Sequence, residues 1–244
     1  MSTVRETFIR SHLRVAPVAF VPEISLYQAE EPIGLWELTE GELFADSTPT
    51  SSVEYRSDQP PPFWAFAWAG GQALARYLLD HPAEVAGRAV LDLATGSGLT
   101  AVAAMLAGAR TVRAVEIEPM AGAAIGLNAT ANNVAVEVAI EDVLDGDHGG
   151  ADIVLAGDVF YSKTMAERML TFMRRAARAG VDVLVGDPGR AYFPTEYFAR
   201  VTAYEIPVRY ELESTRVKST TIWRIHPRGA AIRPSARSPM VGGE

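Results

Sequence analysis

The chain is 244 residues long, 48% hydrophobic, and carries a formal charge of −8 at pH 7. That length accommodates one α/β domain with a sizeable core, and the acidic balance argues against a nucleic-acid partner. With no cysteine, disulfides, thiolate catalysis and cysteine metal sites are excluded together.

Residues 4–15 can form an amphipathic helix with Phe8, Leu13 and Val15 on or near one face. Residues 30–62 read as irregular, rich in Ser, Thr, Pro and acids, and close in Gln59-Pro60-Pro61-Pro62. Phe63–Trp68 is strongly aromatic, and Gly71–Leu79 has the pattern of a helix with Leu74, Tyr77 and Leu78 inward. From Ala89 strands and helices alternate: a strand at 89–93, a helix at 99–107, a strand at 111–116 and a helix at 120–132. A third strand is expected at 134–140, a fourth at 152–156, a helix at 163–179 and a fifth strand at 181–185. Such alternation predicts a parallel sheet with its ligand at the carboxyl ends of the strands. Val201–Glu213 and Thr220–Ile225 flank a polar turn at Val217–Ser219 and predict a terminal antiparallel hairpin. The expected architecture is thus α/β, a Rossmann-like sheet of five parallel strands plus a hairpin, the plan of seven-stranded class I methyltransferases. Residues 1–60 form an N-terminal extension to the domain at 61–226, and 227–244, with three prolines and scattered arginines, reads as a disordered tail.

Val90–Ala104, VLDLATGSGLTAVAA, is the segment that indicates a ligand. An apolar strand carrying Asp92 enters a turn, Ala94-Thr95-Gly96-Ser97-Gly98, and leads into a small-residue helix. The next strand ends at Glu116, followed by Ile117, eighteen residues after Gly98. In such a unit the glycines let backbone approach a nucleoside and the strand-end acid takes the ribose hydroxyls. Gly96, Gly98 and Ala101 also fit the loose dinucleotide spacing, so NAD is the competing cofactor. Two features favour S-adenosylmethionine (AdoMet) over NAD: a carboxylate at Asp92 repels a pyrophosphate and attracts a sulfonium and an ammonium, and the unit lies behind a long N-terminal region, whereas dinucleotide domains often begin with it. Ala94 stands where many methyltransferases have a glycine, which leaves less room beside the methionine part. Asp142, at the end of the third strand, can accept the adenine amino group, and Trp68, before Gly70-Gly71, can wall the pocket.

The fourth strand ends in Gly157-Asp158-Val159-Phe160-Tyr161. An acid followed by aromatics at that strand end lies where a transferred methyl group belongs. Asp158 can accept hydrogen bonds from an amine, and the faces of Phe160 and Tyr161 can hold cations by about 0.5–2 kcal/mol each. The competing reading makes Asp158 a helix cap and the aromatics plain core. His12, His81, His148 and His226 lack ligand spacing, so no metal is expected. No apolar run reaches membrane-spanning length and the N-terminus lacks a secretory signal's apolar stretch, so the expected location is the cytoplasm.

The set PFWAFAWAGGQALARYLLD (62–80), VLDLATGSG (90–98), VEIEP (115–119), GDVFY (157–161), VGDPGR (185–190) and LEST…TTIW (212–223) resembles the electron-transfer-flavoprotein β-subunit lysine methyltransferases. The resemblance covers residues 60 to 225, with the motifs in the same order. It implies AdoMet on Gly96, Gly98 and Glu116, with S-adenosylhomocysteine as product. It also implies an acid–aromatic motif at the methyl-transfer site, here Asp158 with Phe160 and Tyr161. The implied partner is a folded flavoprotein subunit, methylated on lysine. Ribosomal-protein or small-amine methylation, an NAD-dependent oxidoreductase and a non-catalytic AdoMet-binding protein are the alternatives.

Overall fold

The computed structural model describes residues 3–30 and 62–226. Both the expected tail at 227–244 and nearly all of the irregular segment at 30–62 lie outside the described residues.

Helix α1, Val4–His12, begins with a capping box in which the Thr3 hydroxyl and the Glu6 carboxylate each accept a backbone amide of the other. It stops three residues earlier than expected. Leu13 caps it in extended conformation and Val15 turns outward on a strand, half of its surface exposed. The chain then forms an antiparallel hairpin of β1 (Arg14–Val18) and β2 (Val21–Gln28), which the sequence pattern does not announce. Asn128 and Asn132 hold β2 in place: their side-chain oxygens accept the amides of Tyr27 (2.7 Å) and Ser25 (2.9 Å). Phe8, Ile9 and Leu13 meanwhile pack with Trp64 against Met120 and Leu127.

Helix α2, Ala69–Asp80, buries Leu74, Tyr77 and Leu78 as expected. The alternating region forms β3 (Ala89–Leu93), α3 (Leu99–Leu106), β4 (Thr111–Glu116), α4 (Pro119–Ala131) and β5 (Glu137–Ile140). It continues with β6 (Ile153–Gly157), α5 (Lys163–Arg178) and β7 (Asp182–Asp187). Together with β8 (Phe198–Pro207) and β9 (Val217–Ile225) these strands make one seven-stranded sheet, ordered β5-β4-β3-β6-β7-β9-β8. β3 to β7 are parallel, while β9 runs antiparallel to β7 and β8.

The terminal hairpin exists, but its turn is displaced. Val217–Ser219 belong to β9, and the connection is made by residues 208–216, including the short helix α6 (Tyr210–Glu213). Glu213 is drawn inward there by Arg190, which fixes the loop.

Helix α2 starts against the carboxyl ends of β6 and β7, and the fit is tight enough to demand glycine. A Cβ on Gly157 would stand 2.9 Å from the Gly71 Cα, and one on Gly70 would meet the Gly186 carbonyl and lie 2.6 Å from Asp158 Oδ2. Gly70→Ala is therefore expected to destabilise the chain by about 1–3 kcal/mol through overpacking, lowering Tm by roughly 2–4 °C per kcal/mol. Gly126→Ala, in α4 with nothing within 4 Å of its added Cβ, is expected to be neutral or stabilising. Thermal melts of the two variants check this contrast, and equal effects would contradict it.

Candidate active site

The carboxyl ends of β3, β4 and β6 open onto a cavity of about 660 Å³. It lies where the parallel strand order reverses on either side of β3, the place such sheets offer to ligands.

Of the predicted residues, Trp68, Ala94, Gly96, Glu116, Ile117, Asp142, Asp158 and Tyr161 line it. Asp92, Thr95, Gly98 and Phe160 do not. The first three shape the turn behind the wall. Gly98 starts α3 at φ +82°, and Thr95 donates its hydroxyl to Asp92 Oδ2. Ala94 itself adopts φ +48°, a left-handed conformation that costs a residue with a Cβ about 1–2 kcal/mol.

Phe160 corrects the expectation of an aromatic pair at the site. Its side chain is fully buried and packs edge-on against Phe193 and Phe198, in the core formed by α5 and the far half of the sheet. Both residues follow β6, which ends at Gly157, in the irregular segment before α5, and of the two only Tyr161 faces the cavity. Its aromatic companions are instead Trp68 and Phe63. The Phe63 ring stands 5.6 Å from Trp68 and 5.5 Å from Tyr161.

Glu116 closes the glycine turn: its Oε1 accepts the Gly96 amide at 2.9 Å and its Oε2 the Ile117 amide at 3.0 Å. Burial nevertheless pushes its carboxyl above the ordinary value, against those bonds. Asp92 is raised further, to about 7, by burial first and by Glu116 in addition, with the Thr95 hydroxyl opposing. Its Oδ1 is buried and has no partner. Glu118, which the sequence pattern did not single out, also lines the cavity. Burial and Glu116 push it to about 7, while the Trp64 indole donates to it at 3.1 Å.

Asp142 is exposed and held by Arg168 at 2.7 Å, which keeps its carboxyl below the ordinary value. One of its oxygens also takes the Leu144 amide at 3.1 Å. Any role on adenine therefore has to be shared with Arg168.

Asp158 sits at the far end of the cavity with φ +59° and is 8% exposed. Gly70 donates its amide to Oδ2, and Arg190 donates to Oδ1 at 2.7 Å. Burial pushes the carboxyl up, and Arg190 and the Gly70 amide oppose it. Arg190 and Glu213 lie within the motifs VGDPGR and LEST, but only their spatial meeting gives them a role. No metal-binding group of His, Cys, Asp or Glu is found among the described residues, nor is any helix there long and apolar enough to cross a membrane.

A lysine methyltransferase of the electron transfer flavoprotein beta subunit from Mus musculus is 37% identical over 172 residues, covering 68% of each chain. The chain belongs to this family. Its Danio rerio counterpart is 39% identical over 171 residues, covering 68% of this chain and 66% of its own. A sequence profile of ribosomal protein L11 methyltransferases (PrmA) matches residues 73–173. One such enzyme, from Geobacillus thermodenitrificans, is 37% identical over 109 residues, or 44% of this chain and 31% of its own. As a family member the chain is a methyltransferase, and its sheet has the class I plan.

The cavity fits the cofactor of such an enzyme. Its wall carries Glu116, Glu118, Glu141, Asp142 and Asp158 against Arg168 and Arg190, an acidic donor set suited to a sulfonium and to hydroxyls and hostile to a pyrophosphate. Behind that wall Asp92 keeps one buried oxygen without a partner, a further acid whose field favours a cation over an anion in the cavity.

That buried acid has a measurable consequence. Its carboxyl titrates near 7 when folded and near 3.9 when unfolded, so the folded state favours the proton. The contribution of Asp92 to the stability of the ligand-free chain then falls as pH rises from about 4 through 7. Asp92→Asn is expected to raise Tm at pH 8 and to leave it nearly unchanged at pH 4.5. Melting curves at both values check this, and a destabilised variant at pH 8 would contradict it.

Proposed function

We infer that the chain transfers the methyl group of AdoMet to a lysine amine of a protein, and that the protein is the electron transfer flavoprotein β subunit. The single observation that carries the reading is the cavity itself. One wall has the ribose-type acid Glu116 at a glycine turn, and the other has a fixed acid, Asp158, between aromatic side chains. The substrate follows from the relatives at 37–39% identity, which are named for lysine methylation of that subunit.

When bound, AdoMet supplies a methyl group already activated on a sulfonium. Glu116 accepts the ribose hydroxyls on the lone pairs its two amide bonds leave. Asp92 lies beneath the turn to offset the positive charge of the methionine part. Trp68, Phe63 and Tyr161 make an apolar collar around the entering side chain, exclude water and face the cation. Asp158 accepts a hydrogen bond from the amine nitrogen and fixes the direction of its lone pair, so that near-attack geometry is reached before the methyl moves.

The amine has to be neutral. A lysine with the ordinary pKa of about 10.4 costs about 4.6 kcal/mol to deprotonate at pH 7, and the apolar collar reduces this by disfavouring the charged form. No described residue at the site serves as a strong base, which suits a donor that is already activated.

Labelled AdoMet with purified electron transfer flavoprotein and, in a parallel reaction, with purified ribosomal protein L11, followed by mass spectrometry, tests the reading: label on a β-subunit lysine is expected. Label on ribosomal protein L11 instead would keep the chemistry and move the substrate. Asp158→Asn is expected to leave AdoMet affinity within a few fold and to remove most turnover. Glu116→Gln is expected to weaken AdoMet at least tenfold, the loss of a hydrogen bond to a charged group. Calorimetric titration and single-turnover rates separate the two, and the reverse pattern would contradict the roles given.

A further inference from the structure

Arg190 is built into the site more firmly than a lining residue requires. It joins two buried carboxylates. Its Nε and Nη2 lie 2.7 and 2.6 Å from Asp158 Oδ1, and its Nη1 and Nη2 lie 3.1 and 2.6 Å from the two oxygens of Glu213. Side-chain exposures are 9% for Asp158, 19% for Arg190 and 4% for Glu213. Lys218 closes the far end by pairing with Glu213. The guanidinium also faces the cavity and stands 5.9 Å from the Trp68 ring.

The chemistry of an acceptor amine gives this chain of charges a purpose. A lone carboxylate at the methyl-transfer point attracts the ammonium form of lysine and raises its pKa, which opposes the reaction. The same carboxylate is needed as a hydrogen-bond acceptor. A cation bonded behind it resolves the conflict: the oxygen keeps its lone pairs while the field at the amine is offset.

We propose that Arg190 is a positioning residue that fixes Asp158 and offsets its charge, so that a lysine entering the site is held as the neutral amine. Glu213 and Lys218 anchor the guanidinium from the other side. The proposal rests on the lysine reading above. Other titratable groups nearby do not supply the effect. Asp187, at the end of β7, gives one oxygen to the amides of Gly189 and Arg190 and stays ionised above pH 7, since burial raises it only to about 6. Glu116, Glu118 and Tyr161 also line the cavity, and burial holds the Tyr161 hydroxyl above its ordinary value. Glu118, like Asp92 behind the wall, titrates near 7, but neither is altered by the substitutions below, so neither gives them opposed midpoints.

The test is the pH dependence of kcat at saturating substrate, which reports the amine in the bound complex. It is measured between pH 6.5 and 10 on wild type, Arg190→Met, Arg190→Lys and Glu213→Gln, with AdoMet affinity and Tm alongside. Arg190→Met is expected to move the kcat midpoint up by about 0.5–1 pH unit, a loss of roughly 3–10-fold at pH 7 that shrinks at pH 10. Arg190→Lys keeps the charge and is expected to keep the midpoint while lowering the plateau. Glu213→Gln removes an anion behind the guanidinium and is expected to move the midpoint down. AdoMet affinity stays within a few fold throughout. A purely structural role would lower the plateau in all three without opposite shifts, and unmoved or parallel midpoints overturn the proposal. Should Arg190→Met fail to fold, Arg190→Lys and Glu213→Gln still give opposed expectations for plateau and midpoint. A wild-type chain that transfers no methyl to lysine overturns the lysine reading itself, and the proposal falls with it.

Discussion

The carboxylate of Asp158 is held from two directions, and most of the molecule's functional geometry depends on how. The amide that reaches it comes from Gly70, at the start of α2, and the guanidinium comes from Arg190, beyond the end of β7. For the amide to arrive, α2 has to lie on the strand ends with no side chain between, which is why Gly70, Gly71, Gly157 and Gly186 meet backbone to backbone. A buried acid left without those donors would protonate or turn away. Bound by them it stays in one orientation, at the cost of a left-handed backbone conformation at its own position.

The rest of the cavity follows an opposite logic. Asp92, Glu116 and Glu118 lie close together with few cations among them, and each is raised above its ordinary pKa mainly by burial. Such a cluster is unfavourable in the ligand-free chain. A cation and a pair of hydroxyls would offset it, so part of a ligand's binding energy in the proposed function comes from relieving the cost of burying those carboxylates. One half of the site is thus electrostatically satisfied before anything binds, and the other half is not. In the proposed function the satisfied half orients the acceptor, and the unsatisfied half attracts the donor.

Much of this was legible in the sequence because it is local. The strand–turn–helix of Val90–Ala104 and the acid at Glu116 depend on residues within one supersecondary unit, and the sheet from β3 to β7 followed from alternation alone. The features that were not legible depend on distant partners. The β1–β2 hairpin is held by Asn128 and Asn132, about a hundred residues away, and Pro17 interrupts the alternation that marks a strand. The apolar spacing of Phe8, Leu13 and Val15 also fits a longer helix. Phe160 and Tyr161 look equivalent as letters, but the irregular segment after β6 buries the first against Phe193 and Phe198 and leaves the second at the cavity. Arg190 and Glu213 lie far apart in sequence and meet only because the 208–216 connection folds back over the strand ends.

Whether one cavity holds the donor between Glu116 and Asp158 is tested most directly by a crystal structure of the chain with S-adenosylhomocysteine. The expected complex has ribose hydroxyls on Glu116, the amino-acid part over the turn above Asp92, and the sulfur facing Asp158 and Tyr161. A ligand bound elsewhere, or one seated here with its sulfur turned away from Asp158, would contradict that arrangement.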